Sequence, residues 1–449
     1  MGALLIVSIF LILVLIGFPI AISLGLASII MLVALNGFSG LEVVADIMYT
    51  SVSKFTLLAI PFFILTGVIM DYSGISDKLI NFADKLVGHM KGGIVFITAL
   101  VGIFFAAISG SGPATVAAIG GILIPALMRS GYSKETSASL VASTGAIGII
   151  IPPSIAFIVF AVVAGEQMPV SIGRLFIGGI IPGILFGIAL VIATFYVRWQ
   201  QERKMEKEQI HSGENVDNKS KQRKERASLK EVGKAFVEAL WGILVPVIIL
   251  GGIYGGFFTP TEAAVVSVFY GLFVGVVIYR KINFKTLYRI LVDAGLQTAV
   301  VMFIVSTASV FAHIITSERY AEQASEMLLS ISDNPVIILL FINLILIIAG
   351  AFIDAISAFY IFVPILAPVI LYFDIDPLVF GVFMTVNLAI GLFTPPVGLN
   401  LYVASGISGA PLTSMSRAII PYVIASIIVL LLITYVPILT TFLPNLLDV

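Results

Sequence analysis

The sequence predicts an all-α, polytopic membrane protein built from two inverted-topology repeats, each with a re-entrant helical hairpin and a broken helix. The chain of 449 residues is 59% hydrophobic and only 11% charged, whereas soluble proteins contain roughly 25% charged residues. Its basic residues are clustered, and a double proline occurs twice inside an apolar run, at Pro152–Pro153 and Pro395–Pro396. Proline removes a backbone donor and clashes with the preceding turn, so each pair should break a membrane helix.

Clusters of Lys and Arg predict which side of the membrane each loop faces. Of the 24 basic residues, 11 lie within residues 198–234, and short cytoplasmic loops have an excess of Lys and Arg. This polar segment is therefore predicted to be a flexible, charged cytoplasmic linker. Residues 1–53 and 418–449 contain neither Lys nor Arg. Both termini are therefore predicted to lie on the outer side.

The first predicted repeat, residues 1–197, combines scaffold spans in 1–93 with a hairpin and a broken helix in 94–197. The hairpin should enter from the cytoplasm, because both of its flanks are basic, and turn at ISGSGPAT (108–115), where glycines and a proline interrupt the helix. An amphipathic segment should lie along the membrane surface or brace a partner. The predicted elements are spans at about 3–16, 19–36 and 55–70, a surface helix at 75–91, the hairpin at 94–128, the broken span at 136–165 and a return span at 175–197.

The second predicted repeat, residues 235–449, has scaffold spans in 235–334 and a hairpin and broken helix in 335–449. Residues 317–334 contain four acids and one arginine, so this hairpin should enter from outside, turning at AFIDAIS (351–357). TPTEAA (259–264) predicts a capped helix start with an acidic first turn. The predicted elements are spans at about 235–258, 261–279 and 296–316, the hairpin at about 335–371, a span broken at the second double proline and a last span ending at Val449.

The two halves match when the first is moved along the chain by 243 residues. Pro152 and Pro153 then fall on Pro395 and Pro396, and Gly148 falls on Gly391. The basic loop at 78–91 falls on the acidic segment at 321–334. Similar hydropathy with opposite flanking charge is expected of inverted-topology repeats, which place substrate and ion sites at discontinuous helices near the bilayer midplane.

Polar residues at the four predicted interruptions are few and mostly uncharged. Oxygen-rich, charge-poor clusters suit a hard monovalent cation such as Na⁺, whereas a divalent ion prefers several carboxylates. Asp354 is the only carboxylate among them, and it could instead cap a helix at the hairpin turn; each Ser or Thr could instead serve helix packing. The candidates are Ser109, Ser111, Thr144, Gly145, Gly148, Ser154, Asp354, Asn387, Gly391, Thr394 and Asn400.

Several other functions lack their sequence signals. The chain contains no cysteine, so it offers no thiolate metal site, and no transition metal is expected. It contains no Walker-type, HExxH or GxSxG motif, so neither a built-in ATPase nor an intramembrane hydrolase is indicated, and the chain is not expected to be an enzyme. A net charge of −1 gives no indication of nucleic-acid binding.

The interruptions and their surroundings resemble the large membrane subunit (the DctM-like or M subunit) of tripartite ATP-independent periplasmic (TRAP) transporters. The resemblance covers essentially the whole chain, and its motifs are ISGSGPATVAAIGGILIPALMRSGYSKETSASLVASTGAIGIIIPPS, FTPTEAA and GLFTPPVGLN. It implies an elevator-type secondary transporter in the bacterial inner membrane, with periplasmic termini. It also implies Na⁺ as coupling ion, no other cofactor, and small carboxylates such as dicarboxylates or sialic acid as substrates. The implied partners are a separate small four-helix membrane subunit and a periplasmic substrate-binding protein.

The resemblance also implies site residues, two sodium sites where each hairpin tip meets a broken helix and a substrate carboxylate between the tips. The first sodium site would use Ser109, Ser111, Gly148, Ile151 and Pro153, the last two through backbone carbonyls. The second would use Gly350, Asp354, Gly391, Thr394 and Pro396. The substrate would contact Gly112, Thr144, Ser154, Asn387, Gly398 and Asn400.

Three alternative functions remain open. A stand-alone Na⁺/divalent-anion symporter with related hairpins would typically contain Ser-Asn-Thr at the tips, and that tripeptide does not occur here. An ion channel needs a continuous pore lined by charges or carbonyls, whereas two opposed re-entrant tips favour alternating access. A purely structural scaffold does not account for costly broken helices.

Overall fold

The computed structural model describes residues 2–90, 92–165, 167–212 and 226–447, and these residues form helices joined by short turns, without a strand. Four parts of the predictions lie outside the described residues. These are Lys91 at the end of the predicted surface helix, the middle of the predicted linker at 213–225, and the extreme termini, Met1 and residues 448–449.

In the first half of the chain the described residues form ten α-helices, and the predicted hairpin and broken helix are confirmed. The hairpin consists of α6 and α7, and the broken span consists of α8, a 3₁₀ turn and α9. The helices are α1 (Gly2–Ile16), α2 (Ile20–Asn36), α3 (Glu42–Val52), α4 (Ala59–Tyr72), α5 (Ile75–Val87), α6 (Gly93–Ser109), α7 (Gly112–Arg129), α8 (Lys134–Gly145), α9 (Ile155–Ala164) and α10 (Ile172–Ser212).

The second half repeats this plan. Its hairpin consists of α15 and α16, and α17 and α18 flank the second double proline. The helices are α11 (Leu229–Tyr254), α12 (Pro260–Phe273), followed by a π-helical turn (Val274–Ile278), α13 (Phe284–Ser317), α14 (Tyr320–Leu329), α15 (Pro335–Gly350), α16 (Ala355–Tyr372), α17 (Pro377–Gly391), α18 (Leu399–Ser408), α19 (Leu412–Ala418), α20 (Ile420–Tyr435) and α21 (Ile438–Leu446).

Helix bounds in the two halves agree with the 243-residue shift. Moving α7 by that number gives residues 355–372, the bounds of α16, and moving the start of α8 gives Pro377, where α17 begins. The capping box expected at the start of α12 is also confirmed, because the Thr259 side chain accepts from Glu262 N and Glu262 accepts from Thr259 N. Each such box satisfies backbone donors that a helix start leaves unpaired.

Several helices differ from the sequence prediction, and α14 is one of them, because residues 317–334 were predicted only as an acidic outer segment. Helix α3 was not predicted, because Glu42 and Asp46 interrupt the apolar run; it packs on α13, where Ser306 Oγ donates to Met48 O at 3.1 Å. Helix α10 continues to Ser212, so the predicted linker is helical over its first residues. That stretch has no proline or glycine to end the helix, and Arg198 pairs with Glu202 one turn later at 3.0 Å. The predicted last span is bent by 49° between α19 and α20 and interrupted again before α21.

The membrane-spanning character of the chain is evident from the helices themselves. Among the described residues, eight helices are long and apolar enough to cross a bilayer, or nine if the bent α19–α20 pair is one span. The first arms of the hairpins, α6 and α15, are among the shorter apolar helices. A helix needs about 20 residues to cross the hydrocarbon core, so these arms fit the predicted re-entrant geometry.

The two repeats are interlocked by their hairpins. Helix α7 of the first hairpin packs on α18 of the second broken span, and α16 of the second hairpin packs on α9 of the first. In the second of these contacts the centroid of the Phe160 ring lies 5.6 Å from that of Phe359 in edge-on geometry, and Phe380 of α17 contacts the same ring at the same distance. Such ring pairs favour edge-to-face packing. The breaks of one repeat are therefore held against the hairpin of the other.

Contacts between distant segments agree with the predicted sidedness. On the predicted cytoplasmic side, Lys134 Nζ donates to Gly409 O at 2.9 Å, and Lys78 of α5 pairs with Glu238 of α11 at 2.9 Å. On the predicted outer side, Arg174 donates to Asn445 Oδ1 at 3.3 Å. Each contact joins segments assigned to one side, so the scheme is self-consistent. The choice of inside and outside stays a prediction.

Candidate functional site

Both broken spans interrupt the helix with the same backbone device. A non-helical stretch separates α8 and its 3₁₀ turn from α9, and another separates α17 from α18. In each stretch the peptide bond between the two prolines is cis. Backbone carbonyls in such stretches are not used up by helical hydrogen bonds, and at membrane depth they need protein, water or an ion as partner.

The tip of the first hairpin gathers hydroxyl and carbonyl oxygens. Ser109 Oγ lies 2.7 Å from Thr115 Oγ1, and Thr115 Oγ1 donates to Ser111 O at 2.8 Å. Ser111 N donates to Ser109 Oγ at 3.4 Å. Thr115 was not predicted from the sequence. Its only signal is its position one helical turn after Ser111, which many packing threonines share.

Two glycines bring this tip against the first broken span. A Cβ at Gly148 would lie 2.6 Å from Ser111 O and 2.8 Å from Thr115 Oγ1. Gly110 has a φ of 61°, and a Cβ there would lie 2.8 Å from Pro153 O. Such distances leave no room for a side chain. The structure therefore brings Ser109, Ser111, Gly148 and Pro153 together, and we call these residues with Thr115 the first tip cluster.

Ile151, predicted for the first sodium site, and Ser154, predicted to contact the substrate, have packing or capping contacts. The Ile151 side chain packs against Gly183 of α10, and the predicted use of its carbonyl stays a prediction. Ser154 is fully buried and caps α9; its Oγ donates to Ile149 O at 2.6 Å and accepts from Phe157 N at 3.3 Å. In the second repeat Asn400 N donates to Leu392 O, the counterpart of Ile149 O, at 2.8 Å. In both broken spans the equivalent carbonyl therefore accepts a hydrogen bond, from a side-chain hydroxyl in the first repeat and from a backbone N–H in the second.

The second tip is organised by a carboxylate. Asp354 caps α16, because its Oδ1 accepts from Ile356 N at 2.9 Å and Ser357 N at 3.1 Å. Its Oδ2 accepts from Ser357 Oγ at 2.6 Å. The capping interpretation of Asp354 is therefore confirmed. A carboxylate has about four acceptor sites, so capping leaves capacity for one further partner.

Glycine contact also joins the second hairpin to its broken span. A Cβ at Gly350 would lie 3.3 Å from the Gly391 Cα, and a Cβ at Gly391 would overlap the Gly350 backbone. Thr394 Oγ1 donates to Ile390 O at 2.7 Å, which leaves its lone pairs as acceptors. Gly398 adopts a left-handed φ of 53°, and a Cβ there would lie 3.0 Å from Thr394 O. Pro396 lies in the same turn, and its role in the second sodium site stays a prediction.

Asn400 extends from the second break into the first repeat. Its side chain is fully buried, and Nδ2 donates to Ala142 O at 3.0 Å. A Cβ at Gly112 would lie 3.1 Å from Asn400 Oδ1, and one at Gly145 would lie 3.2 Å from Nδ2. Asn400 Oδ1 has no hydrogen-bond partner within the described part of the chain. Two predicted substrate residues, Gly112 and Asn400, thus lie together at the start of α7.

Thr144 and Asn387, predicted as a matched polar pair, lie in helix contacts. Thr144 Oγ1 donates to Leu140 O at 2.8 Å, and its methyl group packs against Gly102 of α6. Asn387 Nδ2 donates to Asn343 Oδ1 at 2.6 Å, and Asn343 Nδ2 donates to Thr434 Oγ1 at 3.2 Å. Asn343 was not predicted, because an isolated amide inside an apolar helix gives no signal of its partner.

Two hairpin tips that meet two broken helices inside a multi-pass helical bundle define a membrane transport protein. The chain belongs to the DctM component family of the tripartite ATP-independent periplasmic transporters, whose family model matches residues 7–439. It is a large permease subunit of a TRAP transporter, and the family predicted from the motifs is confirmed. Relatives of this kind are transporter subunits rather than enzymes.

Similar proteins share this family. The chain is 43% identical to the isethionate TRAP transporter permease protein DctMQ of Oleidesulfovibrio alaskensis over 94% of its own length, and it spans 63% of that relative. It is 39% identical to the C4-dicarboxylate TRAP transporter large permease protein DctM of Vibrio cholerae, covering 96% of this chain and 95% of the relative. It is 32% identical to the sialic acid TRAP transporter permease protein SiaT of Haemophilus influenzae, covering 98% and 68%.

A solved structure has a similar fold. The YdaH transporter of Alcanivorax borkumensis, described as having an unusual topology, superposes with a TM-score of 0.62 over 99% of this chain and 98% of that one. The sequence identity is 13%, so this likeness concerns the fold alone.

Proposed function

We propose that this chain imports a small carboxylate-bearing solute together with Na⁺, as the transmembrane subunit that receives the solute from a periplasmic binding protein. The observation that supports the proposal best is the first tip cluster. There, hydroxyls of Ser109 and Thr115 and carbonyls of Ser111 and Pro153 converge where a hairpin meets a broken helix. Uncharged oxygens in this number suit a hard monovalent cation.

The second sodium site in this proposal uses a negative charge. Asp354, the acceptor atoms of Thr394 and the backbone near Gly391 and Pro396 would coordinate the ion. An ionisable residue within the bilayer is a functional candidate by default. Two sites of unequal charge give the transporter two ways to bind the same ion, one through neutral dipoles and one through a carboxylate.

The substrate is proposed to lie between the tips. Helices α7 and α16 begin at Gly112 and Ala355, immediately after the tips, and a helix N-terminus favours an anion. Asn400 lies beside Gly112 and offers an amide. The named substrates of the relatives include C4-dicarboxylates, sialic acid and isethionate. Because isethionate is a sulfonate, an organic sulfonate is the competing substrate class.

An elevator motion is the proposed mechanism. The contacts of α7 with α18 and of α9 with α16 connect the hairpins and broken spans of both repeats, so these elements can move together as one body. Helices α2, α4, α12 and α13 pack on one another and would form the stationary scaffold. In this proposal the protein lies in the bacterial inner membrane with periplasmic termini, and the scaffold binds a small four-helix subunit.

Uptake into proteoliposomes tests this function. The complex with its small subunit, supplied with a loaded binding protein, should accumulate a radiolabelled carboxylate only under an inward Na⁺ gradient. A K⁺ gradient of equal size is the control for membrane potential, and an organic sulfonate is the competing substrate. Sodium-independent uptake would contradict the coupling. Full uptake by this chain alone would instead support the stand-alone symporter.

A further inference from the structure

A cleft lined by charged, aromatic and aliphatic side chains lies where α5 meets the predicted cytoplasmic end of α11, away from the hairpin tips. Its volume is about 640 Å³, and its lining includes Asp77 and Lys78 of α5, Glu238 and Trp241 of α11, and Tyr279 and Lys281 after the π-helical turn. Neither the sodium sites nor the substrate site proposed above uses any of these residues. The cleft therefore calls for a separate account.

Specific contacts hold the walls of this cleft in place. Gly242 of α11 packs directly against Ile75 at the start of α5. Lys78 Nζ donates to Glu238 Oε2 at 2.9 Å, and Tyr279 Oη donates to Glu238 O at 2.6 Å. Three elements are thus joined around Glu238, and the cleft is a defined feature of the scaffold.

The pairing of Lys78 with Glu238 leaves two unlike charges at the cleft without partners. Asp77 and Lys281 both line it, and neither forms a hydrogen bond or ion pair with another described residue. Lys281 is positioned by its backbone, since Lys281 N and Ile282 N both donate to Gly275 O, at 3.0 and 3.2 Å. A complementary ligand therefore has one anionic and one cationic group.

The surroundings of the cleft are those of a membrane interface. Helix α5 is amphipathic, with Asp77, Lys78 and Lys85 on its polar face, as in helices that lie in the interfacial plane. Trp and Tyr favour the headgroup level of the bilayer, and the cleft contains one of each. Val237 lines the cleft and is 57% exposed, and Val277, which directly precedes the lining residue Ile278, is 50% exposed. This apolar surface offers a path for acyl chains.

We propose that this cleft binds a phospholipid whose headgroup has both a phosphate and a primary ammonium, as phosphatidylethanolamine does. The phosphate pairs with Lys281, the ammonium donates to Asp77, and the acyl chains lie along Val237 and Val277. Phosphatidylglycerol lacks the cation, and the quaternary ammonium of phosphatidylcholine has no N–H to donate. The headgroup chemistry therefore distinguishes three common lipids.

Tryptophan fluorescence provides the test, because the chain has two tryptophans and one of them lines the cleft. In a Trp199→Phe background, Trp241 is the sole emitter of the full chain in bilayers of phosphatidylcholine. Increasing fractions of dibrominated phosphatidylethanolamine, phosphatidylglycerol or phosphatidylcholine are then added, and bromine quenches the indole it lies beside. We expect a preference for the ethanolamine lipid of about fivefold, the size of one interfacial charge pair.

Two substitutions and one control decide the outcome. Asp77→Asn should reduce the ethanolamine preference to the phosphatidylcholine level, while quenching by phosphatidylcholine stays unchanged because the fold is intact. Lys281→Gln removes the partner of the phosphate that all three lipids share, so it should weaken quenching by all three. Lys285→Gln, on the same predicted cytoplasmic loop but outside the cleft, should keep the preference. Equal quenching by all three lipids in the unsubstituted cleft would overturn the proposal, and so would a preference for phosphatidylglycerol, an unchanged preference in Asp77→Asn or unchanged quenching in Lys281→Gln.

Discussion

The first and second hairpin tips share a backbone plan but present different atoms. Each tip begins a helix, α7 or α16, and each meets a glycine of a broken span, Gly148 or Gly391. The first tip meets that glycine with the Ser111 carbonyl and the Thr115 hydroxyl, which in turn contacts Ser109 Oγ, whereas the second meets it with backbone atoms of Gly350. The repeat therefore conserves the close approach of tip and break, while the chemistry at each approach has diverged.

The largest loss of stability and of uptake should come from adding a side chain at Gly391, the tighter of the two glycine contacts. In Gly391→Ala the new Cβ overlaps the Gly350 backbone, which has no flexible side chain to move aside. We expect a loss of stability at the upper end of the roughly 1–3 kcal/mol for overpacking, together with loss of uptake. Thermal unfolding in detergent measures the loss of stability, and the proteoliposome assay measures uptake. Gly121→Ala is the matched control, because nothing lies within 4 Å of its added Cβ.

Gly148→Ala should affect Na⁺ binding more than it affects the stability of the fold. Its Cβ would meet oxygens, Ser111 O and Thr115 Oγ1, one of which belongs to a rotatable side chain. We expect a smaller stability loss than in Gly391→Ala but at least a tenfold weaker Na⁺ dependence of uptake, about 1.4 kcal/mol. If both alanine variants show equal stability and equal Na⁺ dependence, the two approaches are equivalent and the comparison fails.

Removing hydroxyls should affect the first tip more than the second. Ser109→Ala and Thr115→Val each delete one oxygen of the first tip cluster, and a hydrogen bond or ligand of this kind contributes about 1 kcal/mol. We expect the Na⁺ concentration for half-maximal uptake to rise about fivefold in each. Ser357→Ala at the second tip is the comparison, since its hydroxyl donates to Asp354. An equal rise there would mean that the hydroxyls serve only to order the tips.

The sequence reveals the breaks but not the contacts that complete them. Prolines and glycines act locally, so both hairpins and both broken spans could be located, and composition defined a membrane protein. Thr115 and Asn343 were missed because a hydroxyl or amide in an apolar helix is common, and only tertiary packing gives it a partner. Helix α3 was missed because its acids, Glu42 and Asp46, lower its hydropathy. The reach of Asn400 to Ala142 joins residues 258 positions apart, which no local pattern indicates.

Asp354 has two roles that substitution can separate. Asparagine keeps an oxygen that accepts from Ile356 N and Ser357 N but removes the charge, and it is as good an N-cap as aspartate. Asp354→Asn should therefore keep the melting temperature and raise the Na⁺ requirement several-fold. Asp354→Ala should also lose about 1 kcal/mol of stability with the cap. A wild-type Na⁺ titration in Asp354→Asn would leave this residue as a cap alone.

The smallest change in stability is expected at Thr144, and the larger change expected at Asn387 should distinguish the two members of this matched pair. Valine at 144 keeps the methyl packing on Gly102 and removes a hydroxyl that donates only to Leu140 O within its own helix, so stability should change by less than about 0.5 kcal/mol. Leucine at 387 removes the bond to Asn343 and leaves a buried amide partly unpaired, at about 1–3 kcal/mol. Substrate affinity from uptake kinetics should be unchanged in Thr144→Val, because its hydroxyl faces a helix carbonyl. A large rise in KM there would return Thr144 to the substrate site and restore the symmetry of the two breaks.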